Sequence, residues 1–212
     1  MASRIVCVAN ASSAAMKRLK EVARKGKLFV ISAPSGSGKT TLCRKLIQGL
    51  FGRRKLVQSV SFTTRKPRCS ERQNRGYTFI SREEFIKRRK AGQFLEWAQV
   101  LGNLYGTPRD FVEKHLKRGN NVLLSIDVQG ARKIQRKVSN AVFIFIFPPS
   151  FGELERRLKA RSTEGKAEIA RRLKLARKEM GFAKEYNYAV VNDQISKALA
   201  RLREIIKHER EK

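Results

Sequence analysis

The sequence predicts an α/β fold: a parallel sheet with helices on both faces, an inserted strand-rich subdomain and a helical lid. Three observations carry that expectation. Apolar runs that read as buried strands, at residues 28–31, 122–127 and 141–147, are separated by helical patterns. The first run leads into Ser32-Ala33-Pro34-Ser35-Gly36-Ser37-Gly38-Lys39-Thr40-Thr41, a glycine-rich turn that opens a helix. Between residues 61 and 107 the pattern changes to short strands, unlike the flanks.

Taken in order, residues 1–25 are basic and rich in Ala and Ser, with Glu21 as the single acid. They read as a flexible extension holding a short helix at 13–24, with an organelle transit peptide as the alternative. The folded region spans 26–212, with its core at 26–60 and 108–212, the insert at 61–107 and the lid at about 157–172. After the glycine turn, Leu42, Leu46, Ile47 and Leu50 mark one face of a helix. Residues 56–62 read as one strand, and 63–68 as a basic loop interrupted by Pro67. A strand at 77–80 precedes Ser81-Arg82-Glu83-Glu84, a capping box for a helix that stops at Gly92. Residues 94–100 and 104–106 read as paired strands around a turn. Pro108 suits the first position of a helix ending at Gly119. A strand at 122–127 ends in Asp127, and 129–137 is helical. The strand at 141–147 is closed by Pro148 and Pro149. Ser150 caps a helix to Arg161, 162–166 is a link, and 167–181 is helical. A last strand at 188–192 and a helix from about Gln194 complete the chain.

Composition narrows the function classes. The 212 residues are 41% apolar, enough for one α/β domain with a real core. No apolar run approaches the ~20 residues of a membrane helix. The three cysteines, Cys7, Cys43 and Cys69, are odd in number and widely spaced. They predict neither a disulfide framework nor a zinc site, and so a reducing, cytoplasmic setting. The balance of 48 basic against 18 acidic residues gives a net charge of +30. Such a surface attracts polyanions by counterion release. The charge is spread along most of the chain and is not interleaved with aromatics. It therefore reads as suited to a phosphate-rich substrate and to nonspecific polyanion binding.

The glycine turn carries the most chemistry. Gly36 and Gly38 let the backbone turn tightly and aim its N–H groups inward, and the helix N-terminus adds positive charge there. Ala33, Pro34, Ser35, Gly36, Ser37, Gly38, Lys39, Thr40 and Thr41 are thus the expected ATP-binding stretch. Lys39 can reach the β- and γ-phosphates and the Thr40 hydroxyl can hold Mg²⁺. Ala33 stands where the usual pattern has its first glycine.

Further stretches accompany this loop: Ser59-Val60-Ser61-Phe62-Thr63-Thr64-Arg65-Lys66-Pro67-Arg68, Gly76-Tyr77-Thr78-Phe79, Phe94-Leu95-Glu96-Trp97-Ala98 and Tyr105-Gly106-Thr107. Ile126-Asp127-Val128-Gln129-Gly130-Ala131, Phe147-Pro148-Pro149-Ser150 and Val191-Asn192-Asp193 complete the set. Together they resemble the guanylate kinase family over residues 27–208. The resemblance implies transfer of the γ-phosphate of ATP to GMP, with Mg²⁺ as cofactor. It implies ATP and GMP or dGMP as substrates, and a monomer or weak homo-oligomer is the expected state. Arg65 and Arg68 would hold the GMP phosphate through planar bidentate forks, joined by Tyr77 and Tyr105. Glu96, Ser61 and Thr107 would read the base, with Glu71 at the same pocket. Asp127 would order Mg²⁺ through water. Ser125 stands where the family usually has an acid, which puts the tightness of GMP binding in question. Lys39, Arg65 and the lid residues Arg157, Arg161 and Arg172 would stabilise the transferring phosphoryl group. Asn192 would touch adenine or, alternatively, cap the final helix. A guanylate-kinase-like scaffold without catalysis and a nucleic-acid-associated protein are the competing readings.

Overall fold

The computed structural model describes residues 26–49, 56–67, 76–161 and 166–212. The extension at 1–25, Leu50, Arg68, Glu71 and the link at 162–165 lie outside these residues, as does the Arg161 side chain.

The core is built around β1 (Leu28–Ser32), whose residues are all buried. Strand alternation sends Phe29 and Ile31 to one face and Leu28 and Val30 to the other, and each pair seeds its own cluster. Phe29 and Ile31 pack under α1 (Lys39–Gly49) and the C-terminal helix (Ile195–Glu211) through Leu42, Leu46, Leu202 and Ile206. Leu28 and Val30 pack under Val112, Ala131 and Ile134 of two other helices. Truncating a fully buried leucine such as Leu46 to alanine costs about 2–5 kcal/mol in such settings.

Five parallel strands form the core sheet. Their order is β2 (Leu56–Gln58), β7 (Asn121–Ser125), β1, β8 (Ala141–Phe147) and β9 (Tyr188–Val191). The chain meets them out of sequence order, and β7 lies directly beside β1. The loop after β1 and the residues after β7 therefore emerge side by side at the carboxyl ends, where ligands bind in open α/β sheets.

A second sheet holds β4 (Tyr77–Phe79), β3 (Ser61–Thr63), β6 (Asn103–Pro108) and β5 (Phe94–Val100), in that order. Its small core is Phe85, Phe94 and Leu104, with Phe85 and Phe94 stacked at 4.6 Å. Phe85 comes from α2 (Arg82–Lys90), the helix of the expected capping box. Ser81 Oγ accepts from the Glu84 N–H at 3.1 Å, but the Glu84 carboxylate pairs with Arg88 at 2.7 Å. The single strand expected at 56–62 is two strands. The chain leaves the core sheet at Gln58, Ser59 N still donating to Leu123 O at 3.0 Å, and joins the second sheet at Ser61.

Pro108 ends β6 and occupies the N-cap of α3 (Arg109–Lys117), one position earlier than expected. The next helix, α4 (Val128–Gln135), starts one residue before the expected position because Asp127 caps it, Oδ1 accepting from the Gly130 N–H at 2.8 Å. After β8, Ser150 Oγ accepts from the Glu153 N–H at 3.0 Å and starts α5 (Phe151–Arg161). Leu154 and Leu158 of α5 pack on Ala176 of α6 (Lys166–Gly181), forming the lid's own cluster. Gln194 occupies the N-cap position of the C-terminal helix, α7, without a side-chain capping bond. Among the described residues, no helix is long and apolar enough to cross a membrane.

Candidate active site

The glycine loop follows β1 at the carboxyl edge of the sheet. Gly36 and Gly38 have φ of 92° and 86°, values that L side chains rarely adopt. Space enforces the same choice. A Cβ on Gly36 would stand 3.0 Å from Leu154 of α5, and one on Gly38 would collide with the Asn192 amide. Ser37 N donates to Pro34 O at 3.1 Å, which tightens the turn. No acidic side chain lies in the first turn of α1, so the helix itself places no carboxylate against its positive end. Lys39 Nζ donates to the Ile126 carbonyl at 2.8 Å, which sets the ammonium over the end of β7.

Asn192 serves this loop from beneath. It is 3% exposed, and its Nδ2 donates to the Ser37 carbonyl at 2.7 Å. That bond engages Nδ2 alone, and the buried Oδ1 has no hydrogen-bond partner among the described residues. The helix-capping alternative is corrected, because Gln194, not Asn192, occupies the N-cap position of the final helix. Ser37 is likewise fully buried, so it shapes the loop from within and presents no side chain to a ligand.

The end of β7 supplies Ser125 and Asp127, both at the cavity wall. Burial raises the Asp127 carboxyl above the usual carboxylate range, opposed by its bond from Gly130 and by Lys39. The Ser125 hydroxyl hydrogen-bonds the thiol of Cys43, which burial pushes up to about 11.

The second sheet brings Arg65, Tyr77 and Tyr105 together. Arg65 lies 5.5 Å from the Tyr77 ring, and the two tyrosine rings meet edge to face at 5.8 Å. Tyr105 hydrogen-bonds Arg65 and Thr63. Ser61 and Glu96 complete this side of the cavity. Glu96 is 4% exposed, and burial pushes its carboxyl up to about 7, opposed by the bond from Thr107 and aggravated by Asp127. Thr107 is corrected from base contact to support. It is fully buried, and its Oγ1 donates to Glu96 Oε1 at 2.5 Å. On the other oxygen, a Cβ at Gly130 would stand 2.6 Å from Oε2, so only glycine lets α4 approach.

The lid contributes Arg172, which lines the cavity with Nε 3.4 Å from Glu168 Oε1. Arg157 does not line it. Its Nε donates to Glu153 Oε1 at 2.7 Å, one turn back on its own helix, and this pairing holds it aside. Sequence reasoning missed Glu179, two turns beyond Arg172 on the same face of α6. It is 8% exposed, and burial raises its carboxyl to about 7 in spite of nearby Lys39. The seven-residue spacing from Arg172 was the available signal.

These walls enclose one cavity of about 580 Å³, within the size range of small-molecule sites. Mg²⁺ fits the donors present. The Thr40 hydroxyl lines the cavity, and Asp127 Oδ2 is free of the cap bond made by Oδ1. Among the described residues no three His, Cys, Asp or Glu side chains converge as a protein cage would need. Mg²⁺ instead takes one or two protein oxygens together with waters and substrate phosphates.

A parallel sheet whose central strand feeds a phosphate loop, with an insert and a lid around one shared cavity, is the architecture of the phosphate-binding-loop kinases. Comparison with known proteins narrows the class. The guanylate kinase family model matches residues 25–209. The guanylate kinase of Caldanaerobacter subterraneus subsp. tengcongensis is 46% identical over 87% of this chain and 88% of its own length. That of Thermotoga maritima is 46% identical over 89% of each. The crystal structure of guanylate kinase from Anaplasma phagocytophilum superposes with a TM-score of 0.74 at 35% identity, covering 89% of this chain and 88% of that one. The chain belongs to the guanylate kinase family.

Proposed function

We propose that this protein transfers the γ-phosphate of ATP to GMP, giving ADP and GDP. The observation that carries the reading is the composition of this cavity. One wall is a phosphate loop with Lys39, and the other holds a buried carboxylate beside an Arg65–Tyr77–Tyr105 cluster. Donor and acceptor nucleotides would then face each other with their phosphates between them.

In this reading the loop N–H groups and Lys39 hold the β- and γ-phosphates, and Arg65 with the two tyrosines holds the acceptor phosphate. Glu96 accepts from the N1–H and 2-amino group of guanine, and Ser61 donates to O6. Thr107 orients Glu96 and does not touch the base. Arg172 approaches the transferring group from the lid, and lid closure excludes the water that would hydrolyse ATP. Thr40 and Asp127, the latter through water, would hold Mg²⁺, which offsets charge on the phosphate oxygens. Arg68, Glu71 and Arg161 keep the roles that the family resemblance implies. A noncatalytic scaffold would not need the retained loop lysine or the arginine cluster. A coupled assay of ADP release on adding GMP, against GMP-free and AMP controls, tests the reading.

The raised carboxyls give a pH dependence with opposite signs for activity and stability. Glu96 must be ionised to accept from guanine, so kcat/KM for GMP is expected to fall as pH drops below about 7. The Glu96→Gln variant should lack that limb. A folded value above the ordinary 4.5 means that the stability contribution is fully present below 4.5 and lost as pH rises through about 7. Glu179 acts in the same direction. Thermal melts should therefore give a higher Tm at pH 6 than at pH 8, and equal values would contradict the burial of these carboxylates.

We also propose that the net charge of +30 gives nonspecific polyanion binding. Retention on duplex DNA should weaken steeply between about 50 and 200 mM salt. Sequence-selective retention at the higher salt would favour a dedicated nucleic-acid partner instead. The odd, widely spaced cysteines favour a reducing, cytoplasmic setting.

A further inference from the structure

The helix capped by Asp127 carries three donors that the reaction does not use. Gln129 Nε2 donates to the Gln99 carbonyl at 3.1 Å, Lys133 Nζ to that of Trp97 at 2.5 Å, and Lys137 Nζ to that of Leu95 at 3.1 Å. The donors recur every four residues along α4 and the turn after it, and the acceptors every two along β5. Four helical residues advance about 6 Å and two strand residues about 6.6–6.8 Å, so the two series stay in step. β5 is the outer strand of its sheet, and these side chains occupy the edge where a further strand would pair. Lys133 also lies 4.5 Å over the Trp97 ring, and Arg89 of α2 stacks on the same ring at 4.9 Å.

The rungs bracket Glu96, which lies between Leu95 and Trp97. They run along the helix whose N-cap is Asp127 and whose Gly130 meets the Glu96 carboxylate. A two-residue slip of β5 would move Glu96 by about 6.6–6.8 Å, out of reach of anything Asp127 and the phosphate loop hold.

We propose that Gln129, Lys133 and Lys137 are positioning residues for the acceptor nucleotide, locking the edge of the insert sheet to α4 so that Glu96 stands at a fixed place beside Asp127. This rests on the reading of Glu96 as the base-reading carboxylate. The ladder joins the insert to the core and makes no hydrogen bond to the phosphate loop or Lys39, although the Lys133 and Lys137 charges also favour ionised Glu96 and that of Lys133 ionised Asp127. Measured well above pH 7, where these carboxylates are ionised in parent and variants alike, its loss should be felt by GMP and spare ATP.

The test compares the double variant Lys133→Met/Lys137→Met, the double variant Lys133→Arg/Lys137→Arg and the parent, with GMP and ATP binding each measured by calorimetry and KM by the coupled assay. The methionine variant should bind GMP about 10- to 100-fold more weakly, in the range for small misplacements of a binding group. Its affinity for ATP should stay within about twofold, and the arginine variant, which keeps the donors, should recover most of the GMP affinity. Equal losses for both nucleotides, or no loss for GMP, would overturn the proposal. If the methionine variant does not fold, Gln129→Ala removes only the exposed outer rung and should show the same GMP-selective weakening, smaller in size; a loss shared with ATP would overturn the proposal there too. Failure of the underlying reading appears separately, as a parent that does not bind GMP or a Glu96→Gln variant that binds it normally.

Discussion

Lys39→Ala is expected to lower kcat by at least 10²- to 10³-fold, the usual cost of removing one preorganised charge from a phosphoryl-transfer site. The lysine is already placed for the task, with its ammonium held over the end of β7 by the Ile126 carbonyl. It also lowers the pKa of Asp127 and Glu179, so its loss should push both carboxyls further up. The fold should survive, because Lys39 is only partly buried and the core beneath it is built from Phe29, Ile31, Leu42 and Leu46. KM for GMP should change little, since the proposed contacts to the base and acceptor phosphate come from the other sheet. A variant with parental circular dichroism and more than about a tenth of the parental kcat would remove Lys39 from its assigned role.

Glu96→Gln is expected to cost about 2–4 kcal/mol in kcat/KM for GMP, the range for buried hydrogen bonds to charge. The amide would keep one acceptor and turn its donor toward a donor of guanine. It would also disturb the short bond from Thr107. The parent should reject AMP, CMP and UMP and accept dGMP. Adenine offers an acceptor at N1, facing the carboxylate with a lone pair, and sites that lose their hydrogen-bond partners in this way can discriminate by about 10⁴- to 10⁵-fold. A parent that prefers AMP or a pyrimidine nucleotide would show that the pocket around Glu96 reads a different base.

What the sequence revealed and what it hid follow from the range of the interactions. The phosphate loop, β1 and the caps at Ser81 and Ser150 are local patterns, and the structure reproduces them. The break between β2 and β3 is not local. Both halves read as extended chain, and only pairing with β7 on one side and β6 on the other assigns them to different sheets. Thr107 and Asn192 were legible as important and not as to partner. Each is a small polar residue bonded to a group 11 or 155 positions away, a separation that no local pattern reveals. Arg157 was expected at the phosphates because it lies in the lid, but Glu153 one turn earlier holds it. Glu179 was overlooked because a carboxylate on a helix crowded with charge resembles a solvated one, and only packing against the cavity buries it.

The most direct measurement follows the phosphate itself. The protein is incubated with ATP labelled at the γ-phosphate, Mg²⁺ and GMP, and the products are separated. Label recovered in the β-phosphate of GDP, with an equal amount of unlabelled ADP and no transfer when AMP replaces GMP, is the predicted result. Label that stays in ATP, or appears only as inorganic phosphate whether or not GMP is present, would contradict the assignment of this cavity to phosphoryl transfer between ATP and GMP.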